Sequence, residues 1–285
     1  MRRSFFDFLE TFGAWMFECL SWTLGHFPRR TRYPVISFLG ALFGLLAWNM
    51  RKALDANMDA LFGKGMVKSR PSTETIFRNF ALTLGDFFLP EGIVVHVPER
   101  KKLEKLREQH PGILVLTFHM GHWELGARTM KQWGWPVTAV YQPYQNKSFK
   151  KSIESRRAEG VNFIPVGGNA ANGVRAALRR GDVVAMLGDL PFGEEGAEVN
   201  LLGLKIIWPK GPVVLAMKEK CPIVVAVVVR TGVGEYTALI EDPILPNSRK
   251  KVDVQRITQE VADKFGKFLP LYSSQWYRFL PFEFV

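Results

Sequence analysis

Hydrophobic positions change their period along the chain, and the change divides it into two parts. Phe5, Phe8, Leu9, Phe12, Trp15, Met16, Cys19 and Leu20 follow the i, i+3, i+4, i+7 spacing of one helical face, with Asp7, Glu10 and Glu18 opposite. His26-Phe-Pro-Arg-Arg-Thr-Arg32 interrupts that helix and gathers three arginines. Tyr33 to Met50 carries no charge, and Arg51 and Lys52 close it. Helices are then predicted over Asn57–Phe62 and Ser72–Phe88, with a turn around Gly63–Gly65 between them. The second opens on Ser72-Thr-Glu-Thr and has an apolar face of Ile76, Phe77, Phe80, Ala81 and Leu84.

From about residue 90 short apolar runs alternate with amphipathic segments. Strands are predicted at Ile93–Val97, Gly112–Phe118, Pro136–Tyr141, Val161–Val166, Val183–Leu187, Ile223–Val229 and Tyr236–Ile240. Helices are predicted at Lys101–Gln109, Glu124–Trp133, Ser148–Glu159, Asn172–Arg180, Gly211–Lys220 and Val254–Phe268. Gly112–Phe118 and Val183–Leu187 are continuous apolar runs, as in strands buried on both faces. The alternation implies one α/β unit over residues 91–285, a mostly parallel central sheet with helices on both faces. Residues 1–90 form a helical amino-terminal region folded onto it. No repeat, low-complexity segment or long linker interrupts the chain.

Composition adds a charge argument. Thirty-eight Lys and Arg against 27 Asp and Glu give a net charge of +11 over 285 residues, which favours an anionic partner. The chain lacks a basic DNA-reading helix, an RNA-binding aromatic signature and a zinc module, so nucleic acid is not expected. Two cysteines, Cys19 and Cys221, exclude a disulfide scaffold and suit a reducing compartment. Twenty-two Phe and 8 Trp are heavy for a soluble enzyme and direct attention to the first 52 residues. Three carboxylates and the lack of a small-residue cleavage site argue against a signal peptide there. Tyr33–Met50 is borderline for crossing a bilayer, which takes about 20 apolar residues. Basic residues at both ends suit a segment lying at, or dipping into, a cytoplasmic leaflet, monotopic or single-pass; a pair of core helices is the alternative. Gly40 and Gly44 form a small-xxx-small pair fitted to packing against another helix.

In a parallel sheet chemistry sits beyond the carboxyl ends of the strands, which points to the turns after Phe118, Tyr141, Val166 and Leu187. The first reads Phe118-His119-Met120-Gly121-His122-Trp123-Glu124. A strand–turn–helix junction can bring His119 and Glu124 face to face, and a carboxylate behind an imidazole makes a general base. Gly121 lets a ligand or backbone approach closely. His119 as a structural helix cap, or a metal site with His122 and Glu124, remain open; no other histidine has ligand-like spacing, and no metal is expected. His122 is expected to be solvated or stacked on Trp123.

These residues resemble a known family. H-x4-E directly after a buried strand is similar to the signature of glycerolipid and lipid A acyltransferases, and most closely to the bacterial lipid A lauroyl/myristoyl acyltransferases. That family also holds mycobacterial phosphatidylinositol mannoside acyltransferases. Asn57 with Leu61-Phe62, Tyr141-Gln-Pro143 with Asn146 and Arg156-Arg-Ala-Glu-Gly160, Leu187-Gly-Asp189, Leu202-Gly203 with Pro209-Lys-Gly-Pro212, and Gln275-Trp-Tyr-Arg-Phe279 resemble its other blocks in the same order. Gln142 stands where the family often has Arg, and Leu201-Leu202 where it has two phenylalanines.

The resemblance implies a glycerol-3-phosphate acyltransferase-like fold at the cytoplasmic face of a bacterial inner membrane. It implies transfer of a fatty acyl chain from an acyl carrier protein or coenzyme A thioester to a hydroxyl or amine of a membrane lipid, such as a lipid A precursor or a glycolipid. No cofactor is needed beyond that co-substrate. His119 would deprotonate the acceptor and Glu124 would orient it. Arg156 would meet the thioester oxygen or an acceptor phosphate, unless it is a solvated part of the basic run Lys147–Arg157. Asn146 would touch substrate or cap its helix, and Asp189 would bind polar acceptor groups or cap a turn. Gly167-Gly168 suits a phosphate or an ordinary turn. The alternatives in function are a non-catalytic lipid-binding membrane protein and an acyl-thioester hydrolase.

Overall fold

A computed structural model describes residues 18–63, 70–143, 147–157, 159–190, 196–246 and 250–284. The amphipathic pattern over Phe5–Met16 and the candidate Asn146 lie outside them.

Among the described residues seven strands form the central sheet: β1 (Val94–His96), β2 (Ile113–Thr117), β3 (Val137–Tyr141), β4 (Asn162–Pro165), β5 (Val183–Leu187), β8 (Ile223–Gly232) and β9 (Glu235–Ile240), in the order β1-β9-β8-β2-β5-β3-β4. Only the β8–β9 pairing is antiparallel; the other pairs in this sheet are parallel. The most apolar runs, β2, β5 and β8, are side by side at the centre, where both faces exclude water. Alternation sorts β2 cleanly. Ile113 and Val115 pack with the helices Arg100–Gln109 and Trp123–Gln132, while Leu114 and Leu116 pack with the helices Ala170–Arg180, Gly211–Glu219 and Lys251–Gly266. Helices therefore cover both faces, as the alternation of elements implied.

The helix predicted at Ser148–Glu159 is shorter, Lys147–Glu154. An antiparallel hairpin of β6 (Gly196–Leu201) and β7 (Leu204–Pro209) was not anticipated. Its two-residue turn places Leu202 at φ +50° and Gly203 at φ +83°, the primed geometry that fits strand twist.

Before the sheet come the helices Arg29–Leu46, Trp48–Phe62 and Thr73–Phe88, the last capped by the Ser72 hydroxyl accepting from the Thr75 N–H. No single described helix is long and apolar enough to cross a membrane; the first two together pass that test but bend by 93° at Ala47. Gly40 and Gly44 do pack on another helix. A Cβ at Gly40 would lie 2.6 Å from the Ala81 Cβ, and one at Gly44 would lie 2.7 Å from the Phe77 ring.

Two of the three clustered arginines turn inward. Arg29 pairs with the buried Asp86 at 3.2 Å and donates to the carbonyls of Leu89, Glu91 and Gly92. Arg32 is buried and donates to Leu89. Asp86 also accepts from the Tyr33 hydroxyl and, at 2.7 Å, from the Tyr236 hydroxyl, which ties the amino-terminal helices to the β9 side of the sheet. Only Arg30 of the three is exposed.

Candidate active site

Strands β2 and β5 run parallel with Thr117 paired to Leu187, and the Gly188 N–H donates to the Thr117 carbonyl at 2.8 Å. Two residues beyond that pair, His119 and Asp189 are still level. The His119 Nδ1 lies 2.8 Å from Asp189 Oδ1, and the His119 backbone N–H donates to Oδ2 at 3.1 Å. A carboxylate only accepts, so Nδ1 carries the hydrogen and Nε2 is left as the basic nitrogen.

Asp189 is fully buried. Burial by itself pushes its carboxyl up, but His119, the Trp276 N–H and the Arg278 guanidinium outweigh this and hold it below the usual carboxylate range. The Trp276 Nε1–H donates to Oδ2 at 2.8 Å, and Arg278 donates to the Asp189 carbonyl. Asp189 is thus neither a free ligand for an acceptor nor a simple turn cap: its carboxylate is bonded to His119 and Trp276.

The carboxy-terminal segment completes the turn. Tyr277 N–H donates to the His119 carbonyl at 2.7 Å, and Gly121 N–H donates to the Gln275 carbonyl at 2.8 Å. The segment is anchored by Asn57, whose amide donates to the carbonyls of Arg278 and Leu280 and accepts from the Phe282 N–H at 2.9 Å. Of the two uses expected for Gly121, the structure shows backbone approach. At φ +63° a Cβ would collide with the Val228 carbonyl oxygen, so Gly121 serves packing against β8.

His119 and Glu124 both line a cleft of about 300 Å³ between the carboxyl ends of β2, β5 and β3 and the Thr73–Phe88 helix. Glu124 was expected to orient His119, but the His119 Nδ1–H donates to Asp189 instead. Glu124 meets Arg157, at 3.5 Å. Burial raises its carboxyl above the ordinary value, with Arg157 pulling the other way. The Arg157 side chain is buried against the rings of Tyr141 and Phe163, its guanidinium carbon 4.5 and 4.7 Å from their centres, and it too lines the cleft. Arg156, the arginine singled out from the sequence, is directed elsewhere. It pairs with Glu18 at 2.5 Å and lies over the Phe88 ring at 4.8 Å, because it belongs to the side of its segment that packs on the amino-terminal helices.

His122 is buried rather than solvated, and Trp123 makes its ring contact with His119. Burial first, then the positive charges of Arg128 and Arg230, push the His122 imidazole down to about 3, so it is neutral at physiological pH. Gly167 and Gly168 form the turn between β4 and the next helix. Among the described residues no three His, Cys, Asp or Glu side chains converge as metal ligands would.

The chain as a whole is similar to known proteins. A family described as bacterial lipid A biosynthesis acyltransferase matches residues 2–281. The chain is 26% identical over 180 residues to the lipid A biosynthesis palmitoleoyltransferase of Escherichia coli, covering 58% of this chain and 57% of that protein. It is 23% identical over 178 residues to the phosphatidylinositol mannoside acyltransferase of Mycobacterium tuberculosis, covering 60% of this chain and 54% of that protein. The chain thus spans a little over half the length of the curated relatives it matches. The crystal structure of the 1-acyl-sn-glycerophosphate acyltransferase of Thermotoga maritima aligns with a TM-score of 0.41 and 12% identity, over 86% of this chain and 98% of that one.

Proposed function

We propose a function for this chain, which belongs to the bacterial lipid A biosynthesis acyltransferase family: it moves a fatty acyl chain from a thioester, on acyl carrier protein or coenzyme A, to a hydroxyl or amine of a membrane lipid such as a lipid A precursor or a glycolipid. The observation that carries the reading is the His119–Asp189 bond at the end of a cleft with largely apolar walls. His119 Nε2 takes the proton of the acceptor as its oxygen or nitrogen attacks the thioester carbon, and the carbonyl π pair moves onto oxygen. The oxyanion collapses, the C–S bond breaks, and the departing thiolate recovers the proton from the imidazolium. Asp189 holds the tautomer and balances the imidazolium charge. The enzyme supplies no nucleophile of its own.

The acceptor arrives from a membrane surface in this reading. One face of the Arg29–Leu46 helix, Tyr33, Ile36, Gly40 and Gly44, is packed inside, while Val35, Phe38, Leu42, Leu45 and Leu46 are exposed on another. Trp22 and Trp48 extend that apolar surface. An apolar face of this kind lies in the interface of a bilayer, on the cytoplasmic leaflet of the inner membrane, and the net charge of +11 adds attraction to anionic lipid and to an acidic carrier protein.

The test uses purified full-length protein, a labelled acyl thioester and a membrane lipid extract. A new acylated lipid supports the reading; free fatty acid alone would make the protein a hydrolase, and no turnover would make it a lipid-binding protein. His119→Ala is expected to slow transfer by about 10²–10⁴-fold, or roughly 3–5 kcal/mol in barrier. Full transfer by that variant would overturn the assignment of the base.

A further inference from the structure

A run of aromatic rings joins the Arg29–Leu46 helix to the base in the cleft. Phe43 lies where the packed and exposed faces of that helix meet: it is exposed, yet its ring meets Phe77 edge to face, 5.8 Å between centres. Phe77 meets Phe279 at 5.5 Å, and Phe279 meets Phe80 at 4.9 Å. Phe80 meets Tyr277 at 5.2 Å, Tyr277 meets Trp123 at 6.4 Å, and Trp123 meets the His119 imidazole at 5.3 Å. Every spacing falls within the range of about 4.5–7 Å over which aromatic rings pack together. Phe77 and Tyr277 are buried beneath the run. Phe279, Phe80 and Trp123 each stay partly exposed, so apolar surface remains accessible along its length.

The inner end enters the cleft. Trp123 and His119 line it, and so do Thr83 and Leu84, one turn beyond Phe80 on the same side of the Thr73–Phe88 helix. At the outer end Leu46, one turn after Phe43, is exposed as well. A surface of this kind suits an alkyl chain. The donor brings its chain on a water-soluble carrier and has no need to cross the membrane-facing helix. The acceptor stays in the bilayer, and only its reacting group has to reach His119.

We propose that this aromatic track carries an acyl chain of the acceptor lipid from the bilayer to the cleft, so that the acceptor meets His119 while its chain stays out of water. The proposal rests on the acyl-transfer reading above and on the outer face of the helix lying at the membrane. Tyr277 then has two tasks: its backbone N–H fixes the His119 carbonyl, and its ring supports the track beside Phe80 and Trp123.

Two measurements on the full chain test this. The first needs neither a variant nor turnover. The rings meet a chain and not a headgroup, so an ordinary phospholipid serves as probe: phosphatidylglycerol vesicles in which a fraction of the lipid carries a diazirine on one acyl chain. After irradiation and digestion, mass spectrometry is expected to find adducts on Phe279, Phe80 or Trp123 as well as on the outer face of the Arg29–Leu46 helix. Adducts confined to that helix overturn the proposal.

The second is steady-state kinetics with an acyl thioester and a membrane lipid extract in vesicles. Phe279→Ser interrupts the middle of the track and is expected to raise KM for the vesicle lipid by about 10-fold, as for loss of one buried aromatic side chain, with KM for the thioester in place. A rise in the thioester KM instead gives the track to the donor chain and overturns the proposal, and so does no change in either. Should Phe279→Ser fail to fold, the labelling pattern decides. Free fatty acid alone, or no turnover by the wild type, overturns the acyl-transfer reading instead, while the labelling still reports whether lipid enters the track.

Discussion

The turn after β2 and the Arg29–Leu46 helix solve opposite problems. Around His119 the backbone is tied on both sides: Tyr277 and Gln275 bond one edge, Val228 the other, and Asp189 takes the side chain. The helix, in contrast, has one apolar face fitted to Ala81 and Phe77 through Gly40 and Gly44, and a second that no described residue covers. The first region is complete within the chain. The second leaves its remaining apolar surface uncovered by any described residue. Disturbing the turn should therefore change chemistry, and disturbing the outer helix face should change location while leaving the fold intact.

The sharpest way to break this contrast is at Asp189. Asp189→Asn removes the charge that balances the imidazolium and is expected to lower acyl transfer by about 10²–10⁴-fold, read as kcat with His119 present. A loss under tenfold would mean that the turn is merely structural.

Next in size is the outer helix face. Leu42→Asp with Leu45→Asp removes about 3 kcal/mol or more of apolar burial at a bilayer, so binding to anionic vesicles should weaken by roughly 10²-fold. Thermal stability should stay within about 0.5 kcal/mol of wild type, since both side chains are exposed. A variant that unfolds while still binding vesicles would reverse the roles of the two faces.

The inner face gives a smaller effect of the opposite kind. Gly40→Val meets the Ala81 Cβ and the Phe77 carbonyl, and overpacking there should cost about 1–3 kcal/mol in urea unfolding.

The last effect is read against pH and concerns His122, behind the turn. Its folded value is depressed to about 3 from an ordinary 6.5, so the unfolded chain binds the proton first as pH falls. Stability from this group is full above about pH 6.5 and is lost progressively toward pH 3, at up to about 1.4 kcal/mol per pH unit. His122→Gln should flatten the stability profile between pH 6.5 and 4.5, and an unchanged slope would assign it to other groups.

Strands β2, β5 and β8 were legible because Val, Ile and Leu runs buried on both faces have no competing reading, and the strand tips led to the right edge of the sheet. His119, Glu124 and Asp189 were all named from the sequence, yet their pairing was not. Spacing along one chain reports neighbours within an element, whereas the β2–β5 adjacency that puts Asp189 beside His119 is set by sheet order across some 70 residues. The same blindness chose Arg156 over Arg157. Adjacent residues leave a helical turn in different directions, and only packing says which of the two enters the cleft. The β6–β7 hairpin escaped notice because Leu202 takes a positive φ that usually advertises itself by Asn or Gly.

The seat of His119 is built by Gln275, Trp276, Tyr277 and Arg278, held in turn by Asn57. On the ribosome those four residues are translated after Asn57, His119, Gly121 and Asp189, the partners they hold at the turn. A nascent or prematurely terminated chain that forms strands β2 and β5 still lacks the clasp that sets the imidazole. In the proposed mechanism, proton removal by His119 thus waits until residues 275–278 have been made.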